Sequence, residues 1–440
     1  RRLSKPMDAY LQTLNRIYNL RGGIIDLRLD RMQRALALFD HPEQTFPSFH
    51  IAGTNGKGST AAMLQRILCS AGYRTALYTS PHLASFTERM RIDDEEITPD
   101  EVVALADEIW RRTEPANILL TFFEIVTVMA FIYFARRQVD VAVIEVGLGG
   151  RYDATNLVRS IVSVITTISR DHEAFLGFDI ASIAREKGGI IKQGVPVVCG
   201  ALPPEAMEVI NEIAHTNQAP CYRLGQNFTL KLKTNGAFDY KGAKWNLPDL
   251  SVALHGAHQI RNACVATAAL EVVDAQFPTS EVAIYSGLQN VSWPGRMEMI
   301  LTDPSVIIDG AHNNEGIEVL VDELRKLRGG RRVTMLFAVM EDKDWRFMLQ
   351  TLAEIVDEMV FTRVSQLDRS ADPVQLQQEM VGKLHGRVIP DPRLAVETLI
   401  QNAAPDELIV ITGSLYLLGE VRPLLATMAQ ARQSYQSKLN

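Results

Sequence analysis

His50-Ile-Ala-Gly-Thr-Asn-Gly-Lys-Gly-Ser-Thr60 sets a short apolar run ahead of a glycine-rich turn and a helix-forming stretch. Backbone N–H groups in such a turn, with the positive end of the following helix, can cradle phosphate oxygens. Lys57 has the reach for a terminal phosphate, and the hydroxyl of Ser59 or Thr60 is placed for Mg²⁺. The spacing is a variant: only Thr54 and Asn55 separate Gly53 from Gly56-Lys57, and Gly58 follows the lysine where the strict pattern has a hydroxyl. A strand–helix turn with a solvated lysine is the plainer alternative. Farther along, Glu145 interrupts the apolar run Val139–Val146. A carboxylate there is expensive to bury unpaired, so it needs a metal ion or a buried cation. The glycines and Asx residues of the loop that follows, GLGGRYDATN, suit a substrate-binding loop.

Other polar residues stand at strand ends, where ligands of open α/β sheets bind. Ser80 and His82 lie in Thr79-Ser-Pro-His-Leu83, with a turn-forming serine before Pro81 as the simpler reading. His172, in Ile168-Ser-Arg-Asp-His-Glu173, suits a metal ligand, a base or a turn. Lys187 falls at the end of a helix closed by Gly188-Gly189, where a cation is favoured in any case. His258–Ala263 (HQIRNA), Pro294–Glu298 (PGRME) and Asp309–Asn313 (DGAHN) close the series. Asp309 can take a ribose hydroxyl and Arg296 a phosphate. Glu341–Asp344 reads as a solvated loop.

These residues need a framework that gathers strand ends on one side. Strands are expected over His50–Ala52, Thr75–Thr79, Val139–Val146, Ile161–Ile168, Pro196–Cys199, Val306–Asp309, Val333–Ala338, Glu358–Thr362 and Leu408–Thr412. Helices are expected over Thr60–Ala71, Pro99–Thr113, Glu124–Arg137 and Ile317–Leu327. Runs apolar throughout suit a parallel sheet covered on both faces, and the alternation gives α/β architecture. A boundary is expected near Trp293–Arg296, dividing the chain into residues 1–293 and 294–440. Leu224–Leu254 alternates as a β-hairpin insert would.

The 440 residues are 47% hydrophobic, enough for two or three cores. A formal net charge of -7 and a pI near 5.8 argue against a nucleic-acid or membrane-surface binder. Cys69, Cys199, Cys221 and Cys264 form no CxxC pair, so free thiols in a reducing cytoplasm are expected. No apolar leader segment follows Arg1-Arg2, and the longest apolar stretch, Ile125–Ala135, is too short to span a bilayer and reads as a buried helix. No long apolar stripe is left for a partner, so a monomer is expected.

In order, GTNGKGS, TSPHLASFTERMRI, TFFE, EVGLGGRYDATN, DHEAFLG, EKGGIIK, HQIRNA, PGRME, DGAHN and DKD resemble the folylpolyglutamate synthase/dihydrofolate synthase family of the Mur ligase superfamily. The resemblance implies an N-terminal P-loop NTPase-type domain, a smaller Rossmann-like C-terminal domain and an active site in the cleft between them. It implies ATP-dependent addition of L-glutamate to dihydropteroate or a reduced folate through an acyl phosphate. By the same resemblance Thr54, Asn55, Gly56, Lys57, Gly58 and Ser59 hold the ATP phosphates. Ser80, Glu145, His172 and Ser59 serve Mg²⁺, and Lys187 is the family's carbamylated lysine. Asn262, Arg296, Asp309 and His312 hold the nucleotide, with Lys57, Lys187, His172 and Arg296 catalytic. Ile25, Asp26, Leu27, Thr121, Phe123, Asp153 and Ala154 surround the pterin-bearing substrate.

Two positions depart from the family pattern. Gly188 replaces the alanine of EKAG, loosening the helix end by up to ~1 kcal/mol, and Arg28 replaces a small residue beside the pterin loop. A Mur-type peptide ligase and a non-catalytic ATP-binding module are the alternatives. The first carries a further N-terminal substrate domain, for which the stretch ahead of Gly53 is short. The second predicts loss of Lys57, Glu145, His172 and Lys187, all of which are present.

Overall fold

The computed structural model describes residues 5–20, 29–171, 176–177, 179–365 and 367–439. The chain divides into two compact units: residues 1–82, 86–253 and 259–292 form the first, and 83–85, 254–258 and 293–440 the second.

The first unit is built on an eight-stranded sheet: β1 (Ser48–Ala52), β2 (Thr75–Tyr78), β3 (Met90–Ile92), β4 (Glu95–Glu96), β5 (Val141–Glu145), β6 (Ser160–Ile165), β7 (Val197–Cys199) and β8 (Cys221–Arg223). Their order is β4-β3-β2-β5-β1-β6-β7-β8, parallel from β2 through β8. The helices are α1 (Lys5–Tyr18), α2 (Asp30–Ala37), α3 (Lys57–Ser70), α4 (Pro99–Thr113), α5 (Phe122–Arg136), α6 (Ile180–Gly188), α7 (Pro204–Thr216), α8 (Ala257–Val272) and α9 (Glu281–Gln289). Helices α1, α2, α4 and α5 share one core with Ala142 and Ile144 of β5. Strand alternation turns Val141 and Val143 to the opposite face, and α3 packs on β1, β2, β5 and α9. With both faces covered, β1, β2 and β5 are buried along their whole length, which suits their mainly apolar sequences, and the polar Ser48, His50, Thr75 and Glu145 are buried with them. The apolar stretch Ile125–Ala135 is the body of α5, buried nearly all round rather than on one stripe. Capping boxes start α4 (Thr98 with Glu101) and α5 (Thr121 with Glu124).

The second unit has a six-stranded sheet of β12 (Glu298–Thr302), β13 (Ser305–Ile308), β14 (Val333–Phe337), β15 (Glu358–Phe361), β16 (His385–Val388) and β17 (Leu408–Thr412) in the order β12-β13-β17-β14-β15-β16. Only the β12–β13 pair is antiparallel. Ile307 joins α10 (Asn314–Arg328), α11 (Trp345–Leu352) and α12 (Pro373–Met380) in one core. Val306 and Ile308 join α13 (Pro392–Asn402) and α14 (Leu415–Leu439) in the other. The chain is therefore α/β in both units. Among the described residues no helix is long and apolar enough to cross a membrane.

Three expectations are corrected. The segment read as a hairpin is a three-stranded antiparallel sheet, β9 (Thr229–Leu232), β10 (Phe238–Lys241) and β11 (Asn246–Leu250). It is pinned by Glu271 of α8, which accepts from the Tyr240 hydroxyl at 2.5 Å and the Trp245 amide at 2.6 Å. The loop Glu341–Asp344 is exposed at Glu341, Asp342 and Asp344 as expected, but the Lys343 side chain is only 10% exposed, and Asp344 also caps α11 through the Phe347 amide. Helix α3 begins at Lys57 rather than Thr60, because Gly56 takes a left-handed φ of 82° and turns the chain into the helix at once.

Candidate functional site

The glycine-rich turn lies between the ends of β1 and β6, and residues just past β6 hold it. The Thr54 amide donates to Thr167 O (2.8 Å), the Asn55 amide to Thr167 Oγ1 (3.0 Å), and Thr166 Oγ1 donates to Asn55 O (2.6 Å). Thr54 Oγ1 exchanges hydrogen bonds with the Ser169 backbone. Thr54 and Asn55 thus spend their amides on the shape of the loop. The first bond inside α3 runs from the Thr60 amide to Gly56 O (2.9 Å), so the amides of Lys57, Gly58 and Ser59 form the open first turn that attracts an anion.

Two amines converge there. Lys57 Nζ donates to Gly53 O (3.0 Å) and Thr54 O (3.1 Å), and Lys187 Nζ donates to the same Gly53 O (3.0 Å). Neither makes an ion pair among the described residues. Lys187 is buried at the C-terminal end of α6. Burial, with the charge of Lys57 adding to it, brings its pKa down to about 7.

Asn262 and Gln259 lie three apart on one face of α8. A Cβ at Gly56 would stand 2.6 Å from Asn262 Oδ1, so the bare glycine lets that amide lie against the turn. Asn262 Nδ2 donates to Gln259 Oε1 (3.1 Å), and Gln259 Nε2 donates to Ser59 Oγ (3.2 Å). Gln259 lies within the HQIRNA segment but carries no functional signal of its own type. Its spacing from Asn262 was the available signal.

Glu145 ends β5 with 5% of its surface exposed, and Oε2 accepts from the Ser80 amide at 3.0 Å. His82, two residues on, accepts at Nδ1 from Arg89 Nε (2.8 Å), and burial followed by the Arg89 charge lowers its pKa to about 3. It stays neutral.

Three of the residues expected around the pterin carry structure as well. Thr121 is the N-cap of α5: its amide donates to Glu124 Oε2 (2.7 Å), and Glu124 also takes a two-pronged bond from Arg31. The Phe123 ring fills the space over Gly147, where a Cβ would stand 2.8 Å from its Cε2. Asp153 accepts from Leu148 N (2.9 Å) and Thr155 N (3.0 Å), which folds GLGGRYDATN back on itself. Burial pushes its carboxyl up against the pull of those bonds. Behind it Thr155 Oγ1 meets His50 Nε2 at 2.9 Å, and burial, then the charge of Lys192, holds His50 near a pKa of about 3. Ala154 is buried.

The same loop is stapled to the end of α6. Asn156 Nδ2 donates to Arg151 O (2.9 Å) and Gly189 O (3.0 Å), while Lys192 Nζ donates to Asn156 O and Oδ1, both at 2.6 Å. A Cβ at Gly150 would stand 2.8 Å from Glu186 O and 3.0 Å from Lys187 O. Gly188 is equally tight: its Cβ would lie 2.6 Å from Ile213 Cδ1 and 3.0 Å from Ile210 Cδ1 of α7. The isoleucines therefore occupy the place of the family's alanine methyl.

In the second unit Asp309 follows β13. Its Oδ2 accepts from the Met297 amide (2.8 Å) and its Oδ1 from the Ala311 amide (2.9 Å), which ties PGRM to DGAH. Arg296 Nη1 donates to Gly295 O (3.3 Å) and lies over Gly310. His312 Nδ1 meets Gly310 O at 2.7 Å, so Nδ1 carries the proton. Ile25, Asp26, Leu27, Arg28 and His172 lie outside the described residues.

Residues 51–270 match the family model for the Mur ligase middle domain, and residues 295–415 that for the Mur ligase glutamate ligase domain. The chain is 34% identical over 413 residues to the dihydrofolate synthase/folylpolyglutamate synthase of Bacillus subtilis, covering 90% of this chain and 94% of that one. It is 36% identical over 407 residues to the folylpolyglutamate synthase of Lacticaseibacillus casei, again covering 90% and 94%. Among solved structures, Escherichia coli FolC in complex with DHPP and ADP is similar with a TM-score of 0.88 at 31% identity, covering 98% of this chain and 100% of that one. Mycobacterium tuberculosis folylpolyglutamate synthase complexed with ADP gives 0.89 at 34% identity, covering 96% and 99%.

Proposed function

The chain belongs to the dihydrofolate synthase/folylpolyglutamate synthase family of Mur ligases, and from that premise we propose that it joins L-glutamate to dihydropteroate, to a glutamylated reduced folate, or to both. It is an ATP-dependent ligase, and neither a muropeptide ligase nor a non-catalytic module is favoured by its relatives. The substrate carboxylate takes the γ-phosphoryl group of ATP to give an acyl phosphate and ADP. The glutamate amine then attacks the carbonyl, and phosphate leaves as the amide forms.

The observation that carries this assignment is the meeting of Lys57 and Lys187 on one carbonyl oxygen at the open first turn of α3. Two amines that make no ion pair among the described residues, beside the open first turn of a helix, suit an anionic ligand. We assign the phosphates to the amides of Gly56 through Ser59 and to Lys57, with Thr54 and Asn55 shaping the loop. The remaining nucleotide contacts go to Asn262 in the first unit and Arg296, Asp309 and His312 in the second. We take the first unit as the ATP-binding domain and the second as the glutamate-ligase domain.

Ser80, Glu145 and Ser59 offer the hard oxygen donors that Mg²⁺ prefers, and His172 is the further ligand we assign. Such an ion would neutralise charge on the transferring phosphoryl group. Lys187 suits carbamylation: CO₂ adds to a neutral amine with release of a proton, and a pKa near 7 supplies that amine. The chain's own residues do the rest. Lys57 and the α3 amides hold the phosphates and stabilise charge in transfer. Thr121, Phe123, Asp153 and Ala154 form the wall for the pterin-bearing acid, with Ile25, Asp26 and Leu27 assigned beside it.

The test is ADP release by the purified protein with Mg-ATP and L-glutamate, offering dihydropteroate or tetrahydrofolate as acceptor. Turnover with both identifies a bifunctional enzyme, and turnover with one identifies the monofunctional type. Tight ATP binding without glutamate-dependent turnover on either acceptor would overturn the assignment.

A further inference from the structure

The turn that presents Arg296 is held in an unfavourable backbone shape by partners outside it. Gly295 and Met297 both have left-handed φ, 74° and 46°, and Met297, buried to 3%, has a side chain that disfavours that region. The turn is fixed at two places. On one side Asp309 accepts the Met297 amide, and the Gly310 amide donates to Gly295 O at 2.8 Å. On the other, Glu298 Oε2 accepts the Gly295 amide at 2.7 Å. Glu298 is gripped in turn by Arg422 of α14, with Nε donating to Oε2 (3.0 Å) and Nη2 to Oε1 (2.8 Å). The pair is about three-quarters shielded, with side-chain exposures of 23% and 28%, and its two-pronged geometry is the strong form of such a bond.

A carboxylate that only needed a countercharge would not have to receive a turn amide as well. Glu298 does both on the same oxygen, so the position of the Gly295 amide is set by a guanidinium more than a hundred residues later in the chain. Gly295 O in turn receives Arg296 Nη1, which carries the placement into the Arg296 guanidinium.

We propose that Glu298 and Arg422 are positioning residues for nucleotide binding: through the Gly295 amide they hold the turn that presents Arg296 to the nucleotide, without touching the nucleotide themselves. The inference rests on the assignment of Arg296 to the nucleotide.

The test compares Glu298→Gln, Arg422→Met, their double variant, Arg422→Lys and Arg296→Ala in steady-state ligation, varying ATP, glutamate and acceptor separately, with thermal unfolding measured alongside. Glu298→Gln and Arg422→Met should each raise KM for ATP roughly tenfold, the worth of one charge-assisted bond. KM for glutamate and for the acceptor should not move. The double variant should be no worse than the worse single, because one device is being broken. Arg422→Lys keeps the charge without the fork and should raise KM for ATP by roughly threefold, which keeps the test alive if a harsher change prevents folding. An unchanged KM for ATP in Arg296→Ala sinks the underlying assignment. A raised value there with normal values in Glu298→Gln and Arg422→Lys sinks the positioning role alone. Loss of kcat with an unchanged KM for ATP would reduce the pair to a structural brace, which also overturns the proposal.

Discussion

At the phosphate loop two lysine amines, Lys57 and Lys187, crowd one carbonyl oxygen and make no ion pair among the described residues, whereas at the Pro294–Met297 turn both nearby carboxylates, Glu298 and Asp309, are closed by amides and Glu298 by a guanidinium as well. The first region is left short of negative charge, and desolvation makes that costly for Lys187. In the second region Glu298 is matched by Arg422 within 3.0 Å, and both carboxylates are used to maintain a strained backbone. Charge left over marks where a ligand's charge belongs, and charge internally matched marks a frame.

The largest effect should come from removing the excess. Lys57→Ala should lower kcat by about 10³-fold or more while leaving the unfolding midpoint unchanged or slightly higher, since no ion pair among the described residues is lost. Glu145→Ala should likewise keep the fold and remove ligation. A variant of either with wild-type turnover would erase the contrast. Next is Gly150→Ala. Its Cβ would meet the Glu186 and Lys187 carbonyls, which are backbone and have no other rotamer. We expect a loss of about 2 kcal/mol in denaturant unfolding and, if the GLGGRYDATN loop binds the acceptor as proposed, a rise in acceptor KM as it lifts from α6.

Lys192 tests the same contrast by pH. Burial lowers its pKa to about 8, against 10.5 in the unfolded chain. Between those values the unfolded chain binds more protons, so this residue's contribution makes stability rise with pH over that window. Lys192→Met should flatten that rise, by about 3 kcal/mol across it. An identical pH slope in the two proteins would mean that the amine is not desolvated. The smallest effect is expected for Gly188→Ala. The gain in helix propensity, up to ~1 kcal/mol, is opposed by Ile213, and only the tip of that side chain has to move. Gly188→Ala alone should change the midpoint little, and Gly188→Ala with Ile213→Val should raise it.

The runs that make β1, β5 and β17 were legible because both of their faces are covered, so most positions are apolar and the polar ones, Ser48, His50, Glu145 and Thr412, are few. Glu145 stood out for that reason, and its buried amide partner is what such an interruption demands. The strand expected over Ile161–Ile168 stops at Ile165, because Thr166 and Thr167 leave the ladder to hold the phosphate loop. Local sequence could not reveal this, since a threonine pairs equally well with a neighbouring strand. Asp153 and Thr121 had a substrate role by resemblance only, and their capping bonds are visible as the pairs Asp153–Thr155 and Thr121–Glu124. Gln259 with Ser59 and Arg422 with Glu298 are separated by 200 and 124 residues, beyond any periodicity argument.

That same separation governs when the phosphate loop can exist. Thr54 and Asn55 are fixed by Thr167 and Ser169, 112 to 115 positions later, and Ser59 by Gln259. A chain emerging from the ribosome therefore carries the loop's sequence well before it can hold the loop's shape, and contacts so distant are slow to form. Nucleotide cannot act as an early template for this fold. A nucleotide bound there, as proposed, would find its cradle only after the strand beyond it has been made, so any stabilisation it gives follows that pairing.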